Sequence, residues 1–174
     1  MSGARPIRKR AASRRDGAAM SGHYRSKTLA AWLALLGGSF GAHRFYLYGR
    51  RDALAWLHPW PTLAGLAGIA RVQTLGQDDR WSWVLLPLLG LMISQACLCA
   101  IVYGLTSDEK WDASRNPGLP PRQTRWAPVL AVIAALMAGA MAFMGTIAFG
   151  GQRFFEWQLE QARASGQSST RPTP

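Results

Sequence analysis

The chain has 174 residues, a formal net charge of +11 and 17% charged residues, against about a quarter in an average soluble domain. Those charges crowd into the tails and connections and leave four long apolar stretches, which indicates membrane helices rather than a soluble core. Nucleic-acid binding is not predicted, because eight of the 20 Lys and Arg residues lie in residues 1–27, just before the first apolar stretch. A basic segment in that place usually stays in the cytoplasm and contacts anionic lipid.

The predicted elements start with residues 1–27, a basic cytoplasmic tail rich in Arg, Ser and Gly that is predicted to be disordered. Four predicted membrane spans follow, at residues 28–47, 53–70, 82–105 and 126–150. Two prolines interrupt the second span in the run His58-Pro59-Trp60-Pro61. The fold class is therefore an all-α membrane protein with a helical hairpin and a second pair of transmembrane helices.

The domain organisation follows from these spans. Residues 28–72 form the predicted helical hairpin, and residues 73–150 add a helix pair whose polar loop, residues 106–125, is rich in turn residues. Residues 151–174 combine aromatic residues and Glu, as in an interfacial helix, with a polar tail. Lys and Arg counts on alternate sides place the N-terminus in the cytoplasm, whether or not the second stretch crosses the bilayer.

The most specific pattern lies at the end of the first stretch, in Gly38-x-x-Gly41-x-His43-Arg44-Phe45-Tyr46-Leu47. It resembles the family of bacterial two-transmembrane (TM-two) domain proteins, whose pattern is G-x-x-G-x-H-R-F-Y-L-G between two short spans. The resemblance covers about residues 24–72. It implies a compact helical hairpin in a bacterial inner membrane, with no established catalytic residues, and it implies no cofactor. This chain departs from the family at Tyr48, which replaces the last Gly, and at the proline-containing run.

Arg44 is the motif residue whose chemistry is most demanding. A guanidinium at the end of a membrane helix is costly unless it reaches the interface or pairs with an acid. Asp52 is the nearest candidate partner, and the pair would clamp the turn between the first two spans, with Gly41 allowing close approach and Phe45 and Tyr46 anchoring the rim. The alternative is an unpaired Arg44 that snorkels to the membrane surface.

Small residues recur at every fourth position of two predicted spans, a spacing that lets membrane helices approach closely. Packing within one chain is favoured over packing between chains. The stripes are Ala30, Ala34 and Gly38 in the first span, and Ala131, Ala135 and Gly139 with Ala134, Ala138 and Ala142 in the fourth.

The remaining polar residues indicate neither a metal site nor catalysis. His43 and His58 have no further Cys, Asp or Glu at ligand spacing. Cys97 and Cys99 are two residues apart and point away from each other on a helix. Gln95 either bridges helices or, with Ser94, lines a pathway.

The pattern favours a small, non-catalytic membrane protein with an interaction or scaffold role, acting with a membrane protein partner or as a homo-oligomer. The alternative is a transporter or channel subunit. It would have to be oligomeric, because four spans with few ionisable residues cannot line a route on their own. An enzyme that uses His43, Arg44 and Asp52 at the interface ranks last.

Overall fold

The computed structural model of the protein describes residues 24–169, with side chains up to residue 166. Regular structure in this range is helical throughout, which confirms the predicted all-α class. Residues 1–23 of the predicted basic tail lie outside the described residues. The helices are α1 (Lys27–Gly37), α2 (Ala42–Tyr48), α3 (Ala53–Leu57), α4 (Pro59–Leu75), α5 (Ser82–Leu105), α6 (Asp108–Arg115) and α7 (Ala127–Ser169), with a short 3-10 helix, Gly38–Phe40, between α1 and α2.

The first apolar stretch folds back on itself instead of forming one helix. After α1 and the 3-10 turn, Gly41 takes a left-handed conformation with φ of +79° and starts α2 in a new direction. The Ser26 amide at the start of α1 then donates to the Tyr46 hydroxyl near the end of α2, over 2.7 Å. A continuous helix of 20 residues would hold its ends about 30 Å apart. Residues 28–47 therefore form a reversal of two helices instead of the single helix that the sequence predicted, and we call residues 26–48 the motif hairpin.

The second apolar stretch consists of α3 and α4, which follow each other almost without a gap. Pro59 and Pro61 lie in the first turn of α4, where a missing amide removes no helical hydrogen bond. The Thr62 hydroxyl donates to the Ser39 carbonyl at the tip of the motif hairpin, over 2.5 Å. From there α4 runs antiparallel to α5, and α3 and α4 together extend over residues 53–75, which exceeds the roughly 20 residues that a membrane crossing needs.

Two of the described helices, α5 and α7, are long and apolar enough to cross a membrane, each with a mean hydropathy of 2.2 over its most apolar window. Only 22% of that window in α5 and 17% in α7 is buried inside the protein. The central helix of a soluble domain would be mostly buried instead. These exposed apolar surfaces suit a lipid environment.

Helix α5 is the centre of the packing and contacts α1, α4 and α7. Its contact with α1 and α7 is made by small side chains: Ala34, Cys97, Ala100 and Ala135 form one fully buried cluster. Glycines bring the backbones close, since a Cβ on Gly139 would lie 2.8 Å from the Cβ of Cys97, and one on Gly65 would overlap Leu89. The predicted packing of small residues within one chain is confirmed for the stripe of Ala30, Ala34 and Gly38 and for that of Ala131, Ala135 and Gly139, whereas Ala134 of the third stripe is exposed.

Helix α7 has 43 residues and is about 65 Å long, roughly twice the thickness of the hydrocarbon core of a bilayer. The helix predicted over residues 152–164 is confirmed as its C-terminal part. Its position along the membrane surface stays a prediction.

Contacts between the ends of the helices define two sides of the molecule. The first side holds the start of α1, the end of α2 and α6, since Lys27 pairs with Asp108 and the Arg115 guanidinium donates to the Tyr48 hydroxyl. The second side holds the turn between α4 and α5 and the extension of α7, since Arg153 donates to the Gln77 side chain over 3.0 Å.

Candidate functional site

The motif residues are divided between the hairpin turn and α2. Gly38 is buried in the 3-10 turn, where a Cβ would lie 2.7 Å from the Cβ of Ala96 on α5. Gly41 faces the other way, and a Cβ there would lie 2.8 Å from the carbonyl oxygen of Ala55. Each glycine therefore allows the close approach of another helix, and Gly41 also supplies the positive φ of the turn.

Arg44 forms the ion pair that the sequence predicted as one of two alternatives. Its Nε lies 2.8 Å from Oδ2 of Asp52, and both side chains are largely shielded, 24% and 15% exposed. Asp52 also caps α3, because its Oδ1 accepts from the Leu54 amide. The pair lowers the pKa of the Asp52 carboxyl, chiefly through the hydrogen bond from Arg44. The end of α2 and the start of α3 are thus held together, and the pairing is confirmed.

Tyr48, where this chain departs from the family pattern, continues this contact on the first side. The guanidinium groups of Arg44 and Arg115 lie 5.1 and 4.8 Å from the centre of its ring. Arg115 also donates to the Tyr48 hydroxyl over 2.9 Å. Tyr48 therefore links the motif hairpin to α6.

The three apolar and aromatic motif residues after Arg44 make different contacts. Phe45 packs edge-to-face against Trp56 of α3, with ring centres 5.3 Å apart. Leu47 is 1% exposed and shares a buried cluster with Ala30 and Trp111. Tyr46 accepts the hydrogen bond from Ser26 and packs against that cluster. Tyr46 and Leu47 thus turn inward and close the hairpin.

His43 is brought together with His58, their rings lying 5.9 Å apart in an edge-to-face arrangement. His43 is 1% exposed and packs against Tyr103, and no described residue bonds its Nδ1. The His58 Nδ1 donates to the Leu54 carbonyl oxygen over 2.6 Å, and its Nε2 accepts from the Gln95 side-chain amide over 3.4 Å. No group of three potential metal ligands occurs among residues 24–169. Through their ring contacts the two histidines pack the hairpin against Tyr103 of α5 and the start of α4, and Gln95 of α5 contacts His58.

Sequence comparison supplies the family of this segment. Residues 23–71 match the TM2 domain family. The resemblance noted in the motif is confirmed, with nearly the same bounds. Comparisons of the chain with curated proteins and with solved structures gave no match. The TM2 match and the two long apolar helices that face outward identify a membrane protein.

The TM2 segment is tied to the rest of the chain by an ion pair that sequence reasoning missed. Lys27 is 7% exposed, and its Nζ lies 2.5 Å from Oδ1 of Asp108 and 2.9 Å from the Thr106 carbonyl oxygen. Asp108 in turn accepts two hydrogen bonds from Thr124, from the amide and the hydroxyl. The start of α1 is therefore held by the loop that connects α5 and α7.

A second set of bonds joins the same elements. The Trp111 indole and the Asn116 side chain both donate to the Arg25 carbonyl oxygen, over 2.7 and 3.2 Å. The Arg25 amide donates back to Asn116, and the Tyr24 hydroxyl donates to Asp112 over 2.8 Å. We call residues 24–27, together with α6 and the loop to Thr124, the polar clasp.

The electrostatics of the clasp follow from these bonds. Burial alone would raise the pKa of Asp108, but the hydrogen bonds from Lys27 and Thr124 prevail and lower the pKa to about 2. Burial and the bond to Asp112 raise the pKa of Tyr24 to about 12. At neutral pH the carboxylates are charged and Tyr24 is a donor, so every group is in the state that its bonds require.

Part of the clasp had a signal in the sequence. Ser107 followed by Asp108 and Glu109 is typical of a helix start, and the Ser107 hydroxyl indeed caps α6. The contacts that α6 makes with the start of α1 had no signal in the sequence. Lys27 and Asp108 are far apart in the chain, and only the reversal in the motif hairpin brings both to one side.

Proposed function

We propose that the protein is a non-catalytic, multi-pass membrane protein with an interaction or scaffold role, in which the TM2 segment is a structural module. One observation carries this proposal: the two most shielded charged side chains of the motif hairpin, Lys27 and Arg44, are bonded within the chain instead of facing an open polar cavity. Arg44 is held by Asp52 and Lys27 by Asp108. Such groups stabilise a fold and leave little for a catalytic centre.

The topology that we propose has three crossings and one re-entrant hairpin. The motif hairpin enters the membrane from the first side and returns to it, and α3 with α4, α5 and α7 then cross. A re-entrant segment is tolerated at membrane depth where protein surrounds it, and α5 packs against both α1 and the 3-10 turn.

The charge distribution supports this topology. Of the Lys and Arg residues that the structure describes, nine lie on the first side and four on the second. The six further basic residues before residue 23 precede the first side without an intervening apolar stretch. This asymmetry exceeds that of the four-span arrangement and supports a cytoplasmic first side. By the TM2 resemblance we assign the protein to a bacterial inner membrane, with the basic tail on anionic lipid.

The alternative, an oligomeric transporter or channel subunit, has weaker support. A groove of about 440 Å³ between α5 and α7 contains Ser94 and Gln95, but most of its lining is apolar. Ser94 donates to the Gly90 carbonyl and Gln95 to His58, so the two side chains that would line a pathway are already bonded within the chain.

Crosslinking in cells tests the proposed role. A C-terminally tagged chain is crosslinked and its partners are identified by mass spectrometry, alongside Arg44→Ala at matched expression. Arg71→Ala is the control, because Arg71 pairs with Asp79 at the same spacing of eight residues on the second side. The proposal predicts a specific membrane protein partner that is lost with Arg44→Ala and retained with Arg71→Ala. Self-crosslinks alone, accompanied by ion flux that Gln95→Leu changes, would favour the alternative.

A further inference from the structure

A groove on the second side combines basic and aromatic side chains, and the proposed topology places it where the membrane meets water. It has a volume of about 360 Å³ and lies between the start of α5 and the extension of α7. We call it the arginine groove. Its lining consists of Arg80, Trp83, Val84, Gly150, Arg153, Phe154 and Trp157.

The inner and outer ends of the groove differ in polarity. Because α5 and α7 are antiparallel, Val84 and Gly150 lie at its membrane end, and Arg80 and Trp157 lie at its water end. Exposed Trp81 and Trp157 mark the interfacial level, where amphipathic rings are enriched. The groove thus offers an apolar inner part and a basic mouth, the two parts that a phospholipid needs.

Arg153 is a built part of this mouth. Its side chain is 9% exposed, and it lies between the Trp83 and Phe149 rings, 5.5 and 5.4 Å from their centres. Its terminal nitrogens donate to Glu156 and Gln77, and no described residue bonds the buried Nε. Glu156 neutralises the charge of Arg153. Arg153 therefore adds little net charge to the groove, and its main role is to pack between the aromatic rings that line it.

Arg80 supplies the free charge. It is exposed, and no residue that the structure describes accepts a hydrogen bond or forms an ion pair with it. Asp79 beside it does not neutralise it, because Asp79 is held by two bonds from Arg71 and accepts from the Ser82 amide. Asp78, in the same turn, does not line the groove. An anionic group in the mouth would therefore meet an uncompensated guanidinium.

We propose that the arginine groove binds the phosphate group of an anionic phospholipid in the leaflet of the second side. Arg80 pairs with the phosphate, Trp83 and Trp157 flank the headgroup, and one acyl chain follows Val84 and Gly150 inward. This site is separate from the basic N-terminal tail, which is on the first side.

Lipid-dependent thermal stability of the full chain in a neutral detergent tests the proposal, with added phosphatidylglycerol, phosphatidylcholine or inorganic phosphate. Phosphatidylglycerol is expected to raise the melting temperature, and the other two are not. Arg80→Gln is expected to weaken the apparent affinity for phosphatidylglycerol about fivefold, the contribution of one basic residue near a membrane surface. Arg163→Gln, which removes another exposed Arg of the same side outside the groove, is the control and is expected to keep the wild-type affinity.

Three outcomes would overturn the proposal. Equal loss with Arg80→Gln and Arg163→Gln would indicate unspecific attraction, and an unchanged affinity with Arg80→Gln would place the lipid elsewhere. An equal response to inorganic phosphate would assign the mouth to a free anion. Because Arg80 is exposed and unbonded, its replacement leaves the fold intact, and an unchanged melting temperature without lipid verifies this.

Discussion

At the residue scale, two glycines determine the course of the TM2 segment. Gly41 takes a φ of +79°, which costs other residues free energy, and Gly38 gives α5 room to approach. The sequence pattern identified both as motif residues. It did not show that they reverse the chain, although the run without charge from Thr28 to Ala42 is shorter than the roughly 20 residues that a crossing needs.

The contact of Gly38 yields a stability prediction. In Gly38→Ala the new methyl group would lie 2.7 Å from the Cβ of Ala96, so the turn has to move away from α5. We expect the free energy of unfolding to fall by about 1–3 kcal/mol, as for an overpacked core. Thermal unfolding in detergent measures this. Gly145→Ala in α7 is the matched control, because nothing lies within 4 Å of its Cβ, and an equal melting temperature for the two variants would contradict the close approach.

The partner of Arg44 was predictable because Asp52 is close in sequence and the turn between two helices brings such residues together. The partner of Lys27 was not, since Asp108 belongs to a different loop. Local pairs can be inferred from spacing alone, whereas distant pairs require the topology.

At the scale of elements, composition predicts correctly those apolar stretches that form one continuous helix. Helix α5 begins and ends where the sequence predicted, at Ser82 and Leu105, and α7 starts one residue after its predicted start. The reversal in the first stretch was not predicted, because apolarity indicates only that a segment is shielded from water. A buried re-entrant hairpin and a crossing helix meet that condition equally.

The polar clasp gives a pH prediction for the docking of α6. The folded pKa of Asp108, about 2, lies below the ordinary value of 3.8. Its contribution is therefore fully present above pH 4 and is lost as the pH falls from about 4 towards 2. Hydrogen exchange of residues 106–125, corrected for the intrinsic rate, is expected to rise on the order of tenfold across this window.

Asp108→Asn is expected to raise the hydrogen-exchange rate at neutral pH. It is also expected to remove most of the increase in rate between pH 4 and pH 2. Asp112, whose pKa is also lowered by its bonds although burial opposes this, contributes the remainder. Asp78→Asn, a change in an exposed turn outside the clasp, is expected to keep the wild-type profile. If Asp108→Asn and the wild type shared one profile, the bond to Lys27 would not hold α6.

At the scale of the whole molecule, one side of the protein carries most of the basic residues, the clasp and both ends of the motif hairpin. Membrane class, helical class and the TM2 segment were accessible from the sequence, because they depend on composition and on one local motif. The relative placement of the sides was not, because it depends on whether residues 28–47 cross or return. A partner recognised by the TM2 segment would approach from within the membrane or from the clasp side.

Cysteine accessibility from the two sides of the membrane tests the reversal most directly. Arg25→Cys and Arg51→Cys flank the motif hairpin, and Asp78→Cys marks the second side, each in a chain with Cys97 and Cys99 replaced by Ser. Labelling with an impermeant maleimide in sealed vesicles of both orientations is expected to show Arg25→Cys and Arg51→Cys on the same side, with Asp78→Cys on the other. Labelling of Arg25→Cys and Arg51→Cys from opposite sides would mean that residues 28–47 cross the membrane and would contradict the re-entrant hairpin.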